Sequence, residues 1–263
     1  MSVATSAEPI RGFPPMSAGH KVVSLADAIG LIRDADCVAL GGHAGRRPPM
    51  ALVCEIIRQG RKDLRLVSWD KSLALELLVA ASCGASIAAN DMETRDRIRA
   101  IALGLPFTSG TWDSHFRTLR PDFVLLHAQW ADADGNVRFA LDQWEPELPD
   151  LLLAKTATKV IVSVEQVVSR QAIARRPTDP FLSGEAVACI VEAPYGAYPA
   201  ACDTRYEADH AAVGEIAEAT RSDQALRVWL DTHVFKPGDH WAAIDAVGSR
   251  RLLGITTNRV LRV

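Results

Sequence analysis

Short apolar runs alternate along the chain with segments whose apolar residues recur every three to four positions. Four runs have the length and composition of buried strands: 37–40, 64–69, 123–126 and 160–164. Segments with helical periodicity lie between them, as at 50–59 and 73–81. Continuous apolar strands that alternate with helices predict a mostly parallel sheet covered on both faces. The expected fold class is an open three-layer α/β/α sheet.

Start and stop signals give further elements. Ser24 precedes a helical pattern and Asp27 follows three residues later, which is the spacing of a capping box. Weaker patterns predict these additional elements: strands at 86–89 and 137–140, and helices at 97–103, 225–235 and 241–247. We therefore divide the chain into a flexible N-terminal arm (1–20), an α/β domain (21–206) and a helical C-terminal segment packed on the same domain (207–263).

The composition and charge of the chain exclude several classes of protein. Acidic residues number 32 and basic residues 29, so no global positive field favours nucleic acid as a partner. The most apolar stretch, 73–89, is interrupted by polar residues and is too broken to cross a bilayer. The first twenty residues lack the basic start and apolar run of a secretory signal, and the five cysteines contain no C-x-x-C pair. These features favour a cytoplasmic protein with free, buried thiols.

The first candidate site is the glycine-rich loop after strand 37–40. Gly41 and Gly42 allow close approach of the backbone to a ligand, and His43 and Arg46 follow them. Backbone N–H groups here could hold an oxyanion, and Arg46 could meet an anion. A tight turn that needs glycine is an equally good interpretation. The loop matches neither a dinucleotide fingerprint nor a P-loop.

Carboxylates form the second candidate site, after the predicted strand 86–89. Asp91 or Glu93 could serve as a general acid or base. The alternative is helix capping by Asp91, with Glu93 facing the helix dipole in the first turn.

Two further loops complete the candidates for substrate contact. His127 and Gln129 come directly after the most apolar strand, where we expect a loop, although an isolated histidine is commonly a hydrogen-bonded core residue. Tyr195, Gly196 and Tyr198 belong to a Pro-flanked loop that could line a pocket or simply form a turn. Another candidate for substrate contact ends the second strand: Trp69.

Other chemistries find little support. The histidines and cysteines show no tetrahedral metal spacing, and no G-x-S-x-G elbow frames a serine nucleophile. We therefore expect no bound metal and no stand-alone hydrolase.

Several segments, taken in order, resemble the family I CoA-transferases, specifically the A (alpha) chain of the glutaconate CoA-transferase type. The matching segments are 24–28, 40–42 through 46–48, 56–60, 97–100 with 104–107, 127–129, 134–137, 159–165 and 193–199. The resemblance covers about residues 21 to 250.

The resemblance implies an enzyme subunit that moves CoA between an acyl-CoA and a carboxylic acid. It implies a partner, the homologous B subunit, usually in an α2β2 assembly, and coenzyme A as substrate with no permanently bound cofactor. The nucleophilic glutamate belongs to the B subunit in this family. The glycine loop is thought to supply oxyanion-binding backbone at the subunit interface, which matches Gly41 and Gly42 here.

The chain also departs from the family, because the segments 69–94 and 108–121 are short. Two alternatives therefore stay open. One is the A subunit of a hydrolase that cleaves a carbon–carbon bond in a cyclic β-keto CoA ester, as in steroid-ring degradation, with Asp91 or Glu93 as the catalytic group. The other is a non-catalytic paralogue that binds CoA or stabilises a partner.

Overall fold

The computed structural model describes residues 20–89, 91–104, 120–142 and 147–257. Its strands are β1 (Cys37–Leu40), β2 (Leu64–Ser68), β3 (Gly84–Ala89), β4 (Phe123–Ala131), β5 (Val137–Arg138), β6 (Lys159–Val167), β7 (Phe181–Leu182) and β8 (Val187–Glu192). Its α-helices are α1 (Leu25–Gly30), α2 (Met50–Arg58), α3 (Leu73–Ala80), α4 (Met92–Leu103), α5 (Pro149–Thr156), α6 (Arg170–Ala174), α7 (His210–Ala219), α8 (Asp223–Leu230), α9 (His240–Val247) and α10 (Ser249–Ile255).

One sheet organises these elements. Six strands run parallel in the order β3-β2-β1-β4-β6-β8, and the short strands β5 and β7 add an antiparallel ribbon at the distal end of β4. The chain moves outward from β1 in one direction and from β4 in the other. The crevice between the carboxyl ends of β1 and β4 is thus a topological switch point, where doubly wound sheets bind ligands.

Helices cover both faces of the sheet, as the continuous apolar strands predict. Alternate residues of β1 point to opposite faces: Val38 and Leu40 pack with α1, α2 and α3, whereas Cys37 and Ala39 pack with α4 and α5. The predicted open, mostly parallel α/β fold is confirmed. Each described helix is too short or too polar to cross a membrane.

Local signals explain several element ends. The Ser24 side chain accepts a hydrogen bond from the N–H of Asp27 at 3.1 Å, which is the cap that the sequence predicts for α1. At the other end of the sheet, Gly104 terminates α4 in the left-handed conformation, with φ at 67°.

The C-terminal helices join the core on the α2 side of the sheet. Ile216 of α7, Leu230 of α8 and the buried Val234 belong to the same apolar cluster as α1 and α2. Arg58 of α2 also donates from Nε to the carbonyl oxygen of Val234 at 3.1 Å. The proposed boundaries at 20 and 207 stay predictions, and residues 1–19 of the predicted arm lie outside the described residues.

Some element predictions need correction. The predicted helix 225–235 is divided, because α8 ends at Leu230 and a π-helical turn follows over Asp231–Phe235. Strand β4 extends to Ala131 instead of ending near residue 126. The sequence patterns named neither α5 nor β8, whose short apolar stretches carry weak periodicity.

Candidate functional site

The glycine loop lies at the switch point of the sheet. The N–H of Gly41 donates to the carbonyl oxygen of Leu125 at 2.9 Å, and the N–H of Gly42 donates to Oδ1 of Asp150 at 2.9 Å. Both amides predicted to bind an oxyanion therefore have partners. Asp150 is fully buried, and its carboxylate holds the place that an anion would take at Gly42.

Glycine is required at both positions for steric reasons. A Cβ on Gly41 would lie 2.4 Å from the Leu126 side chain and 2.6 Å from Oδ1 of Asp150. Gly42 has φ at 88°, and a Cβ there would lie 2.8 Å from the backbone nitrogen of Pro48. These contacts fit the interpretation of this loop as a tight turn that requires glycine.

His43 forms a dyad with an aspartate from the next strand exit. Its Nδ1 lies 2.5 Å from Oδ2 of Asp70, which also accepts the N–H of Ala44 at 3.2 Å. Arg95 of α4 donates to Oδ1 of the same carboxylate at 2.5 Å. The imidazole is one-third exposed, and the Asp70 carboxylate orients its ring.

Arg46 and Arg47 do not form an unpaired cationic patch. Arg47 is 1% exposed and pairs with Asp203 and, at 3.5 Å, with Asp150. Arg46 lies 3.1 Å from Asp203 and 3.5 Å from Asp142. Because three carboxylates neutralise two guanidinium groups, an anionic ligand would have to compete with internal ion pairs for Arg46.

The two carboxylates at the start of α4 have different environments. Asp91 caps the helix, since its side chain accepts from the N–H and the hydroxyl of Thr94 at 2.7 Å each. Glu93 is partly buried, and its Oε1 is shielded from solvent with no hydrogen-bond partner among the described residues. A buried acceptor without a hydrogen bond is destabilising and marks a candidate functional site. Glu93 is therefore the better candidate of the two for the catalytic carboxylate.

His127 and Gln129 lie inside strand β4, so the expectation of a loop there is wrong. Both side chains are fully buried. Gln129 braces the backbone by donating to the carbonyl oxygens of Ala140 and Asp203 at 2.9 and 2.8 Å. Neither side chain can touch a substrate in this arrangement. The interpretation of His127 as a hydrogen-bonded core residue fits its surroundings.

A buried polar network surrounds His127. Its Nε2 lies 2.8 Å from Oε1 of Glu165, which also accepts the hydroxyl of Tyr206 at 2.9 Å. The N–H groups of Tyr195 and Gly196 reach the same carboxylate at 3.0 and 3.3 Å. Glu165 thus fixes the loop 193–199 against the carboxyl ends of β4 and β6.

This network includes a potential donor set for a metal ion, because ligand atoms of His127, Glu165 and Cys202 lie within 4.8 Å of one another. The histidine and the carboxylate are already hydrogen-bonded to each other. Burial raises the pKa of the Cys202 thiol well above its usual value, so the thiolate that a metal needs is disfavoured. The arrangement fits a hydrogen-bonded core better than a metal site.

The remaining candidates take structural positions around the loop. Tyr195 donates or accepts at the hydroxyl of Thr256 at 2.9 Å, and the hydroxyl of Tyr198 donates to Asp209 at 2.9 Å. The Trp69 side chain is only 4% exposed, and the guanidinium of Arg99 lies 4.8 Å from its ring centre. Trp69 therefore supports α4 in this structure instead of lining an open surface.

The structure joins candidates that lie far apart in the sequence. The loop 193–199 contacts the first turn of α2 through the N–H of Ala51, which donates to the carbonyl oxygen of Gly196 at 2.9 Å. The glycine loop, which directly precedes α2, and the loop 193–199 are therefore neighbours. Sequence reasoning missed Asp70, Asp150 and the site role of Glu165. The position of Asp70, directly after the predicted strand 64–69, was an available signal for the first of these.

No family model matches the chain. The A subunit of glutaconate CoA-transferase from Acidaminococcus fermentans is 26% identical, over 89% of this chain and 94% of that protein. The alignment spans 305 positions, more than the 263 residues of this chain, so the relative carries insertions. The crystal structure of the same transferase aligns with a TM-score of 0.77 at 25% identity, over 92% of this chain and 97% of the other.

Two further relatives carry other names. The cholesterol ring-cleaving hydrolase IpdA subunit of Rhodococcus jostii is 25% identical, over 87% of this chain and 96% of that protein. A chain from the crystal structure of a variant of the decarboxylase AibA/AibB aligns with a TM-score of 0.62 at 29% identity, over 81% of this chain and 98% of the other. The chain therefore has the family I CoA-transferase fold and is a homologue of the A subunit of glutaconate CoA-transferase.

Proposed function

We propose that this chain is the A subunit of a heteromeric CoA-transferase that moves CoA from an acyl-CoA to a carboxylic acid. The observation that carries the proposal is the similarity to a transferase A subunit over nearly the whole of both chains. The position of the glycine loop at the switch point adds a physical reason, since this crevice is where such sheets bind ligands.

A homologous B subunit supplies the nucleophile in this proposal. The glutamate of the Ser163-Val164-Glu165 segment cannot do so, because Glu165 is 4% exposed and its carboxylate accepts four hydrogen bonds. A carboxylate of the partner would attack the thioester carbonyl, which gives an acyl anhydride and releases CoA thiolate. The thiolate then attacks the glutamyl carbonyl, frees the acid and leaves an enzyme–CoA thioester that transfers CoA to a second carboxylate.

This chain contributes the surroundings of the thioester. Each tetrahedral stage carries an oxyanion, and the N–H of Gly42 at the switch point is the candidate donor to it, whereas the N–H of Gly41 is held by the carbonyl oxygen of Leu125. Binding at Gly42 requires that the oxyanion replaces Asp150 as acceptor. The exposed edge of His43, oriented by Asp70, adds a group that can exchange a proton in the same crevice.

The test is reconstitution with a candidate B-type chain. The complex should transfer CoA between carboxylic acids, and borohydride or hydroxylamine should trap a CoA thioester on a glutamate of the partner. This chain alone should be inactive. Turnover by the isolated chain, or transfer without any trapped adduct, would contradict the proposal. CoA binding without turnover in any complex would favour the non-catalytic paralogue.

We further propose an α2β2 assembly in the cytoplasm with coenzyme A as a substrate and no permanently bound cofactor. The partner is supported by the relative from Acidaminococcus fermentans, which is by name one subunit of its transferase. Native mass spectrometry of the reconstituted complex gives the stoichiometry directly. A mass of any other subunit ratio would require the assembly to be revised.

A second candidate function is hydrolysis of a carbon–carbon bond in a cyclic β-keto CoA ester. The unpartnered Oε1 of Glu93, which has no hydrogen bond among the described residues, favours it, together with the similarity to a ring-cleaving hydrolase subunit. This hypothesis expects Glu93→Gln to abolish hydrolysis by the complex.

Asp91→Asn is the matched control for that variant, because Asp91 acts as the helix cap and asparagine is also a good cap. The control should keep both stability and turnover. Full hydrolysis by the Glu93→Gln complex would remove the hydrolase hypothesis.

A further inference from the structure

A cavity of about 240 Å³ lies between α2 and the C-terminal helices. The loop 193–199 forms one end of it through Tyr195 and Tyr198, and Met50 and Ala51 of α2 form the adjoining wall. A cavity of this size with a mostly apolar wall is large enough to hold a small apolar group.

The outer wall of the cavity is helix α9. None of its residues is buried, although its sequence is rich in apolar residues. Ala243, Ile244 and Val247 line the cavity and are only partly buried. An amphipathic helix gains its stability by burying its apolar side, and here that side faces empty space. A filled cavity would supply the missing contact.

Charged side chains at the cavity wall are compensated within the protein. Arg58 pairs with Glu55, and Arg251 pairs with Asp209 and lies 3.5 Å from Glu215. Of the buried side-chain atoms that lack a hydrogen-bond partner among the described residues, none belongs to the cavity wall. The wall therefore offers no unpaired charge, within the part of the chain that the structure describes, to attract an ionic group.

The histidines and the thiol at the wall are neutral at pH 7. Burial lowers the pKa of both His233 and His240, and Nε2 of His240 donates to the carbonyl oxygen of Pro194 at 2.8 Å. Burial raises the pKa of the Cys54 thiol to about 11. A mostly apolar wall whose charges are already paired disfavours charged ligands, because they would lose their hydration without compensation.

The wall also contains an irregular helical turn. Thr232 and His233 of the π-helical turn line the cavity, and the His233 ring stacks on Trp229 with ring centres 4.9 Å apart. Single π-helical turns occur frequently at functional sites because they redirect side chains that a regular helix would place elsewhere. Here the turn presents a flat aromatic surface to the cavity.

We propose that this cavity binds an uncharged apolar group of about ten carbon atoms. The size follows from comparison with an engineered apolar cavity of about 150 Å³ that holds one benzene molecule. Such a group could be the acyl part of a CoA ester, because Tyr195 and Tyr198 of the candidate loop 193–199 line the cavity, or a free apolar molecule. Binding itself requires no catalysis, so only the acyl source rests on the proposed transferase function.

The test measures binding of naphthalene to the full chain by isothermal titration calorimetry. Wild-type protein should bind one equivalent. Ala243→Phe places a ring inside the cavity and should weaken binding by at least about tenfold. Ala242→Phe is the matched control, since Ala242 lies on the same helix but does not line the cavity, and its affinity should stay within about twofold of wild type. Circular dichroism and thermal midpoints confirm that both variants fold.

Two competition arms separate the sources of the apolar group. Displacement of naphthalene by octanoyl-CoA, but not by CoA, assigns the cavity to the acyl chain. Displacement by octan-1-ol without displacement by octanoyl-CoA assigns it to a free apolar molecule. Absence of naphthalene binding to wild type, or equal binding by the Ala243→Phe variant, overturns the proposal. Loss of binding when the B subunit is added also overturns it, because the partner would then occupy the cavity. None of these results depends on transferase activity.

Discussion

Nε2 of His127 lies 2.8 Å from Oε1 of Glu165, and both side chains are buried, His127 in the middle of β4 and Glu165 near the carboxyl end of the adjacent parallel strand β6. Since a carboxylate accepts hydrogen bonds, the histidine donates from Nε2, and its Nδ1 lies 2.9 Å from the Ser163 hydroxyl. The pair connects the sheet to the loop 193–199. It is a positioning device for the candidate site, because neither group is accessible to a substrate.

Removal of the Glu165 charge should destabilise the protein strongly. Glu165→Gln leaves His127 and two backbone N–H groups around a neutral amide, and breaking a buried pair costs about 3–5 kcal/mol of unfolding free energy. Urea unfolding at pH 7 measures the change. Glu218→Gln serves as the control, because Glu218 is exposed and its pair with Arg221 should contribute less than about 1 kcal/mol. Equal stability of the two variants would show that the network is not a stabilising one.

The same carboxylate predicts how stability depends on pH. Burial alone would raise the pKa of Glu165, but the hydrogen bond and charge of His127, with donors from Tyr195 and Tyr206, outweigh burial and hold it below its usual value. The Arg251 hydrogen bond similarly lowers the pKa of Asp209 to about 2.

Both folded-state pKa values lie below the unfolded values of about 4, so the unfolded chain binds more protons in acid. The stabilisation is complete above about pH 5 and is lost as the pH falls from about 4 towards 2. Urea midpoints measured across this range should fall for wild type and fall less for Glu165→Gln. A wild-type midpoint that is constant down to about pH 3 would contradict the assigned pKa directions.

Gly196 should not tolerate a side chain. A Cβ at this position would lie 2.7 Å from Cε1 of His127 and 2.7 Å from the carbonyl oxygen of Ala193. Gly196→Ala should therefore cost about 1–3 kcal/mol through overpacking of the network. Gly214→Ala in α7 is the matched control, because a Cβ there meets nothing within 4 Å, and alanine should stabilise the helix by up to about 1 kcal/mol. The thermal unfolding midpoints of both variants test this prediction. A midpoint of Gly196→Ala that is no lower than that of wild type would contradict it.

Several strands of the sheet could be predicted from continuous apolar runs in the sequence. A buried parallel strand must be apolar on both faces, so β1, β2 and β6 are visible as continuous runs in the sequence. The glycine loop was visible for the same reason, since it follows such a run directly. By contrast, β4 contains His127 and Gln129, and polar residues in the sequence resemble the end of a strand. Only the three-dimensional network that satisfies their hydrogen bonds makes their burial possible.

The partners of the candidate residues could not be predicted from the sequence. Asp70 is 27 residues from His43, and Asp150 is 108 residues from Gly42. Such pairings depend on the order of strands in the sheet, which local periodicity does not encode. The same holds for the distinction between Asp91 and Glu93, because both have the residue type and position of a helix cap or a general base. Only the contacts of Asp91 with Thr94 show which one is the cap.

The five cysteines should react slowly in the native protein. Burial raises the pKa of Cys37, Cys54 and Cys83 to about 11 and that of Cys189 to about 12, and it raises that of Cys202 strongly. Thiolates are the reactive species, so few are present at about pH 8. A thiol reagent such as Ellman's should label all five in denaturant and almost none within minutes under native conditions. Rapid labelling of one native cysteine would show that its surroundings open.

The dyad of His43 and Asp70 gives the sharpest test of this chain's own part in catalysis. Oδ2 of Asp70 accepts from Nδ1 of His43, so the carboxylate selects the tautomer that carries its proton on Nδ1. Asp70→Asn offers one acceptor instead of two and weakens that selection. In the reconstituted complex, kcat should fall by about a hundredfold with KM for the CoA ester unchanged, because the ring is misoriented while binding is intact.

His43→Gln should cause a similar fall, and the double variant should lose little more, since residues that act as a unit are not additive. Asp96→Asn is the control, because Asp96 is exposed on α4 and pairs only with Arg99 across the surface among the contacts of the described residues. A structural effect alone would lower the thermal midpoint or raise KM. If folded Asp70→Asn complexes keep kcat within about twofold of wild type, the dyad only shapes the loop, and proton transfer during CoA exchange belongs to the partner subunit or to water.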